Sequence, residues 1–339
     1  MRMFCIRALG ALYRKVKASP LFSRIYYSVA NTQYFSNLQV QEMMLADHVR
    51  VDVYRRALRK LVKPGDRVVD LGAGAGILSF LAQAGRPSRV YAIEHGPIIE
   101  VARQIARHNG FANIEFVNKT STAFTAREKV DLIVHEQMGA FLFDERMVEN
   151  LIDLRTRVLR PGGRILPARF EWFFEPVQLK SEARIPFAWE QDFGPISFSC
   201  VKSMAGNLGT QYYWRRLTPH MVDSLLANPE PAVYADLETM SLYDIPRRIE
   251  IRRTVTRPGR LDGVCTWFRA IFDEEISFTT QPTASDVRSW TVPMLRLESR
   301  ELQAGDEIRL VLKMDDFADP DTYTWEYSVS RAESAVGRR

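Results

Sequence analysis

The stretch Val68–Glu94, VVDLGAGAGILSFLAQAGRPSRVYAIE, limits what this 339-residue chain can fold into more than any other. A short apolar run ends in Asp70, three alternate glycines follow (Gly72, Gly74 and Gly76), then a helix-like apolar segment, and a second apolar run ends in Glu94. Strand, glycine turn, helix and strand in that order hold a nucleotide-like ligand at the carboxyl end of a parallel sheet. The glycines let the backbone approach a ligand where a Cβ would collide. Glu94, an acid ending the second strand, is placed to accept both ribose hydroxyls. The dinucleotide fingerprint asks for a third glycine three residues after the second, where Ile77 stands, and no Gly-Lys-Ser/Thr follows to make a P-loop. S-adenosylmethionine is therefore the expected cofactor, with Asp70, Gly72, Gly74, Gly76 and Glu94 its expected cradle.

The length allows two domains, because a single core seldom grows much past roughly 250 to 300 residues. No apolar run approaches the roughly 20 residues of a membrane span. Cys5, Cys200 and Cys265 are scattered and odd in number, which suits a reducing cytoplasm better than a disulfide framework. The net charge of +5 belongs to one end. Residues 1–41 carry Arg2, Arg7, Arg14, Lys15, Lys17 and Arg24 and no acid, so the remainder is within one charge of neutral. A broad phosphate-binding face needs Lys and Arg clustered on the folded domain, so nucleic acid is not an expected partner.

Taken in order, Cys5, Leu9, Leu12 and Val16 recur at helical spacing in a basic leader broken near Ser19-Pro20. Arg7 interrupts its apolar stretch, which argues against a signal peptide. A helix packed on the protein or on a sister subunit, or peripheral attachment to a membrane, both remain open. Residues 38–62 are expected as one helix with Leu45, Val49, Val53 and Leu58 on its apolar side. After the glycine unit come a helix near Ile98 to His108, strands at Ile114 to Val117 and Val130 to Val134, and a helix from about Asp144 stopped by Pro161-Gly162-Gly163. Alternating strands and helices predict a mostly parallel sheet. Past Pro167 the period becomes two, as in Tyr323, Trp325, Tyr327 and Val329, so this half is expected to be β-rich. Within it, residues 204–228 read as helix and loop.

The fourth strand opens into HEQMGAFLFDE, where Glu136 and Glu145 bracket an apolar loop at the sheet edge that binds ligands. A buried pair of carboxylates either shares a proton or meets a cation, and a planar guanidinium suits the second case. The same residues could equally be a strand-end acid and a first-turn helix acid.

Together these stretches resemble the protein arginine methyltransferase family over roughly residues 34–330. VVDLGAGAGILSF resembles its cofactor motif, and Glu136 with Glu145 around Met138-Gly139 its double-glutamate loop. Met44 to Arg50 (MLADHVR) with Tyr54-Arg55 resembles the helix covering the cofactor, and FTTQP from Phe278 followed by Trp290 the approach to its Thr-His-Trp loop. The resemblance implies a Rossmann-like seven-stranded methyltransferase sheet over 34–167, a leader over 1–33, and a β-barrel-like domain over 168–339 with a helical dimerisation arm at about 204–228. It implies that Arg50 pairs with the carboxylate of S-adenosylmethionine, Glu94 with its ribose, Thr120 and Ser121 with its adenine, and that Phe35 belongs to the segment closing over it. Glu136 and Glu145 would clamp the substrate guanidinium, with Met44 and Trp290 beside it, in a cytoplasmic homodimer acting on arginine in a protein or peptide. The chain departs from the family at Ser289, where the motif has histidine, at Gln137, where it has tryptophan, and at Leu38, where it has an aromatic residue. A small guanidino substrate, another protein side chain, or a non-catalytic dimerising partner are the alternatives.

Overall fold

The computed structural model describes residues 32–205 and 210–331. The basic leader read above as an amphipathic helix lies outside the described residues, as do residues 206–209 of the expected arm.

Two helices precede the first sheet. Asn37 caps α1 (Leu38–Leu45) by accepting from the Gln39 amide, and Asp47 caps α2 (His48–Leu61) by accepting from the Arg50 amide. Short polar side chains at these positions satisfy amides that a helix start leaves unpaired. The single helix expected over 38–62 is therefore two, broken at Ala46-Asp47. The break resets the helical phase: Leu45 and Val49 face solvent, and Arg50 is buried with Val53, Tyr54, Ala57 and Leu58.

Strand β1 (Arg67–Leu71) is followed by α3 (Ile77–Leu81), β2 (Arg89–Ile93), α4 (Ile99–His108), β3 (Ile114–Val117), β4 (Val130–His135), α5 (Met147–Arg157) and β5 (Leu159–Leu166). All five strands are parallel, in the order β3-β2-β1-β4-β5. Val68, Val69, Val90, Leu132, Ile133 and Val134 are fully buried, as strands covered on both faces must be. The chain steps outward from β1 through β3 and then returns to β4 on the other side. The crevice between the carboxyl ends of β1 and β4 is where an open sheet of this kind binds ligands.

The expected seven strands are thus five. After Pro167 the chain runs as β6 (Arg169–Leu179) into an antiparallel sheet, where β11 (Gly259–Ile271) on one side and β8 (Val222–Leu225) with β9 (Pro231–Asp236) on the other take up its backbone groups. The helix expected from Asp144 starts at Met147, and Pro161-Gly162-Gly163 lie inside β5 rather than ending a helix. There the pairing with β4 skips from Leu159 to Arg164. A proline is tolerated on such an edge strand because its missing donor faces no partner.

The second half is antiparallel, as the period of two predicts. Strands β7 (Trp214–Leu217) and β13 (Val292–Leu302) complete the sheet of β11, β6 and β8, with β12 (Ser277–Thr279) on β11. A three-stranded sheet holds β10 (Arg248–Thr254), β14 (Glu307–Met314) and β15 (Tyr323–Ser330). The helical reading of 204–228 gives way here: β7 pairs with β13 and β8 with β6, burying Leu217 and Val222 in the sheet core. What stands off the sheets comes earlier, in a run of short helical turns ending in α6 (Cys200–Ala205), with residues 191–200 exposed throughout.

One apolar cluster spans both halves, from Val68 and Ile133 to Leu310 and Tyr323. The two antiparallel sheets are also joined by a buried ion pair, Arg253 Nε to Glu175 Oε2 at 2.7 Å.

Candidate active site

The glycine turn follows β1 directly. Gly72, Gly74 and Gly76 have φ of +75°, +52° and +92°, a region that only glycine enters without strain. The Gly72 and Ala73 amides donate to the Ile93 carbonyl at 2.9 Å, which ties the turn to the end of β2. A Cβ on Gly74 would lie 2.8 Å from Gln41 Oε1. Glu94 accepts from the Gly74 amide at 3.2 Å and the Gly96 amide at 2.6 Å, which fixes the carboxylate and leaves lone pairs on each oxygen. Asp70 lies beneath the turn, its Oδ2 accepting from the Ser79 amide and hydroxyl at 2.8 and 2.7 Å. Burial pushes its pKa up to about 7.

The loop after β4 carries the two glutamates. Phe141, Leu142 and Phe143 are buried in the antiparallel half, Phe141 against Trp214 and Phe143 against Trp172, with ring centroids 4.8 and 5.4 Å apart. Leu142 takes φ +63°. A Cβ on Gly139 would run into the Asp144 carboxylate, so the glycine leaves room for that side chain. Asp144 in turn accepts from the Phe141 amide at 3.1 Å. Three carboxylates crowd this loop, and their pKa values rise. Burial raises Glu136 against the pull of Arg50, burial raises Asp144 to about 6, and burial with the Asp144 and Glu136 charges raises Glu145 well above the usual range. Such a site favours a cation.

Arg50 supplies one. Its Nη1 lies 3.1 Å from Glu136 Oε2 and its Nη2 donates to the Met44 carbonyl at 2.6 Å. The Tyr54 hydroxyl donates to the His135 carbonyl at 2.8 Å and fixes the end of β4. Asp47 links these helices to the second half: its Oδ2 accepts from the Arg288 amide at 2.8 Å and from the Ser289 amide and hydroxyl, each at 2.7 Å. Burial alone would raise the Asp47 pKa, but these donors outweigh it and lower the value. Ser289 therefore takes the bond to Asp47 without supplying an ionisable ring. Beside it, Trp290 Nε1 donates to the Met138 carbonyl at 2.6 Å, and its ring stacks on Phe278 at 5.4 Å.

Two cavities meet here. Gly72, Gly74 and Glu94 line the first and Trp290 the second, which measures about 430 Å³, while Phe35, Met44, Arg50, Glu136 and Glu145 line both. The structure thus gathers nine of the thirteen residues singled out in the sequence on the walls of one double cavity: Phe35, Met44, Arg50, Gly72, Gly74, Glu94, Glu136, Glu145 and Trp290. Asp70 and Gly76 support the turn from below. Thr120 and Ser121 do not line either cavity: Thr120 Oγ1 pairs with Thr122 Oγ1 at 3.1 Å, and the Ser121 carbonyl accepts from Arg157 at 3.0 Å. Gln41 is the residue of the site that the sequence does not point to; Asp47 and Tyr54 stand in the MLADHVR and Tyr54-Arg55 stretch without a role assigned to either. Asp47 was signalled by its place as a capping aspartate three residues before Arg50, but nothing local pointed to Gln41.

A glycine turn with a strand-end acid at the switch point of a parallel sheet, facing converging carboxylates across a shared wall, defines a group-transfer enzyme with a nucleoside cofactor. A family model described as a methyltransferase domain matches residues 62–215. Protein arginine N-methyltransferase 6 of Danio rerio is 32% identical over 276 residues, 78% of this chain and 78% of that protein. Among solved structures, the Trypanosoma brucei PRMT1 enzyme–prozyme heterotetrameric complex with AdoHcy shares the fold, with a TM-score of 0.75 at 21% identity, covering 88% of this chain and 95% of that one. The open conformation of Arabidopsis thaliana protein arginine methyltransferase 10 also has a TM-score of 0.75, at 24% identity over 89% of this chain and 96% of that one. The chain belongs to the protein arginine methyltransferase family.

Proposed function

We propose that the protein transfers a methyl group from S-adenosylmethionine to a guanidinium nitrogen of arginine in a protein or peptide. The observation that carries this reading is the shared wall: Glu136 and Glu145, both held in a loop pinned by Phe141 and Phe143, face the glycine-turn cavity on one side and the Trp290 cavity on the other. When bound, S-adenosylmethionine supplies an electrophilic methyl group. Glu94 would hold its ribose and Arg50 its carboxylate, over Gly72 and Gly74, with Phe35 closing from above. Asp70 and Gly76 would keep the turn in shape, while Thr120 and Ser121, which line neither cavity, are given no contact with the cofactor.

Arginine is nearly non-nucleophilic while its charge is spread over three nitrogens. Glu136 and Glu145 would draw that charge to one side and aim the remaining nitrogen across the shared wall, with Met44 and Trp290 excluding water. Rate enhancement then comes from alignment and electrostatic stabilisation. The nitrogen loses one proton as the methyl is gained, and Glu145, with its raised pKa, is suited to take it. Ser289 keeps the bond to Asp47 but cannot serve as the base.

The test is radiolabelled methyl transfer to an arginine peptide, with cofactor binding followed by calorimetry. Glu136→Gln is expected to lower transfer at least about a hundredfold with cofactor affinity near wild type, and full activity in that variant would sink the clamp. The alternative of a non-catalytic partner rests on Ser289 and Gln137, and transfer by the wild-type chain alone excludes it.

Exposed Ile185, Phe193, Ile196, Phe198 and Met204, all within the segment that stands off the sheets, support assembly with a second copy through that segment. The scattered cysteines, with Cys200 and Cys265 both unpaired, support a cytoplasmic location. Among the described residues no helix is long and apolar enough to cross a membrane. The proposed boundaries are a leader over 1–33, a cofactor domain over 34–167 and a β-rich domain over 168–339.

A further inference from the structure

The second cavity is electrically graded. Its floor carries Glu136 and Glu145, and among the described residues no other acid lines it. Its remaining charged walls are Arg216 and Arg288, besides Arg50, which is already committed to Glu136. Arg216 projects from β7, an edge strand held in register by β13 through Arg216 opposite Pro293. Arg288 sits in the loop that Asp47 holds by its backbone. Both side chains are exposed. Neither makes an ion pair or a side-chain hydrogen bond among the described residues, and both line the cavity that holds Glu136 and Glu145. Arg216 does act on its surroundings, because its charge is the first influence opposing the burial-driven rise of the Asp144 pKa.

We propose that Arg216 and Arg288 select acceptor arginines that have a carboxylate close by in the same peptide. The proposal rests on the arginine-methylating reading of the site. An acceptor must place its cation on the floor glutamates, and the peptide on either side then leaves across the rim. A lysine or arginine next to the acceptor meets like charge there, while an aspartate or glutamate finds an unengaged guanidinium able to bind it in bidentate fashion. At about 3.3 Å per extended residue, and with side chains as long as arginine reaching inward, the favoured acids lie within about two residues of the acceptor. The gain is that of exposed pairs, a modest factor for each, and salt screens it.

The experiment measures binding by calorimetry in the presence of S-adenosylhomocysteine, so that it does not depend on turnover. The probes are three peptides of equal length with one central arginine, flanked by aspartates, by glycines or by lysines, together with free arginine. The aspartate-flanked peptide is expected to bind about three- to tenfold more tightly than the glycine-flanked one, with the lysine-flanked peptide weakest and the gap closing in high salt. Arg216→Lys with Arg288→Lys should keep that order, and Arg216→Glu with Arg288→Glu should invert it. Equal binding of the three peptides, or tightest binding of the lysine-flanked one, overturns the proposal. Free arginine binding more tightly than every peptide overturns it too, by assigning the carboxylate to the acceptor itself. Methyl transfer to the same peptides is scored separately: an acid preference in binding with no transfer keeps the rim and removes the catalytic reading.

Discussion

Asp47 shows how much a single side chain can hold here. Four donors converge on its carboxylate, one from the start of α2 and three from the loop of Ser289. It therefore fixes Arg50 and the Trp290 wall relative to each other. Asp47→Ala should cost about 1 kcal/mol as a lost cap and more for the released loop amides, read as a lower midpoint in urea, and should raise the KM for peptide. Asp70 behaves in the opposite sense. Burial lifts its folded pKa to about 7, above the ordinary aspartate value of 3.8, so the folded state holds a proton that the unfolded chain has released. The contribution of Asp70 to stability is then greatest below about pH 4, falls as pH rises toward 7, and levels off above it. Asp70→Asn, which carries no such proton, should gain on wild type across that window in paired thermal melts, and parallel curves would remove the argument. The proposed role of Glu145 as proton acceptor, with its raised pKa, predicts that kcat/KM rises with pH through an apparent pKa above the ordinary carboxylate range, and that Glu145→Gln removes that limb.

The loop from Glu136 to Glu145 is the element on which the site turns. In the sequence its residues read only as a largely apolar stretch between two acids, and Phe141 and Phe143 gain their role from partners far along the chain, Trp214 and Trp172. Phe143→Ala should cost about 3–5 kcal/mol of stability and lower kcat more than cofactor affinity, measured by denaturation and calorimetry. The legible parts were those whose signal is local. The strands Ile114–Val117 and Val130–His135 and the helix Ile99–His108 fell almost where apolar period and Asn109-Gly110 put them. The parts that were not legible depended on partners distant in the chain. Leu159–Leu166 forms a strand despite Pro161-Gly162-Gly163 because it lies on a sheet edge beside β4, and Trp214–Leu217 and Val222–Leu225 are strands because β13 and β6 run alongside. The break between the two helices at 38–61 is not legible because Asp47 reads as one more polar residue in a helix, whereas its side chain starts a new one.

At the scale of the molecule, the exposed Ile185, Phe193, Ile196, Phe198 and Met204 predict an oligomer. Ile185→Asp with Ile196→Asp should shift the protein to a smaller species in sedimentation and leave the far-ultraviolet spectrum unchanged, and an unaltered sedimentation coefficient would remove that prediction. The joint between the halves has its own consequence. The glutamates leave the parallel sheet, but Phe141 and Phe143, which hold them, are seated among Trp172, Trp214 and Tyr323 of the antiparallel half. Acceptor chemistry is thus not modular. A chimera that joins this cofactor half to the β-rich half of a relative would inherit a foreign socket for those two rings, and it should fold and bind cofactor while Glu136 and Glu145 are displaced.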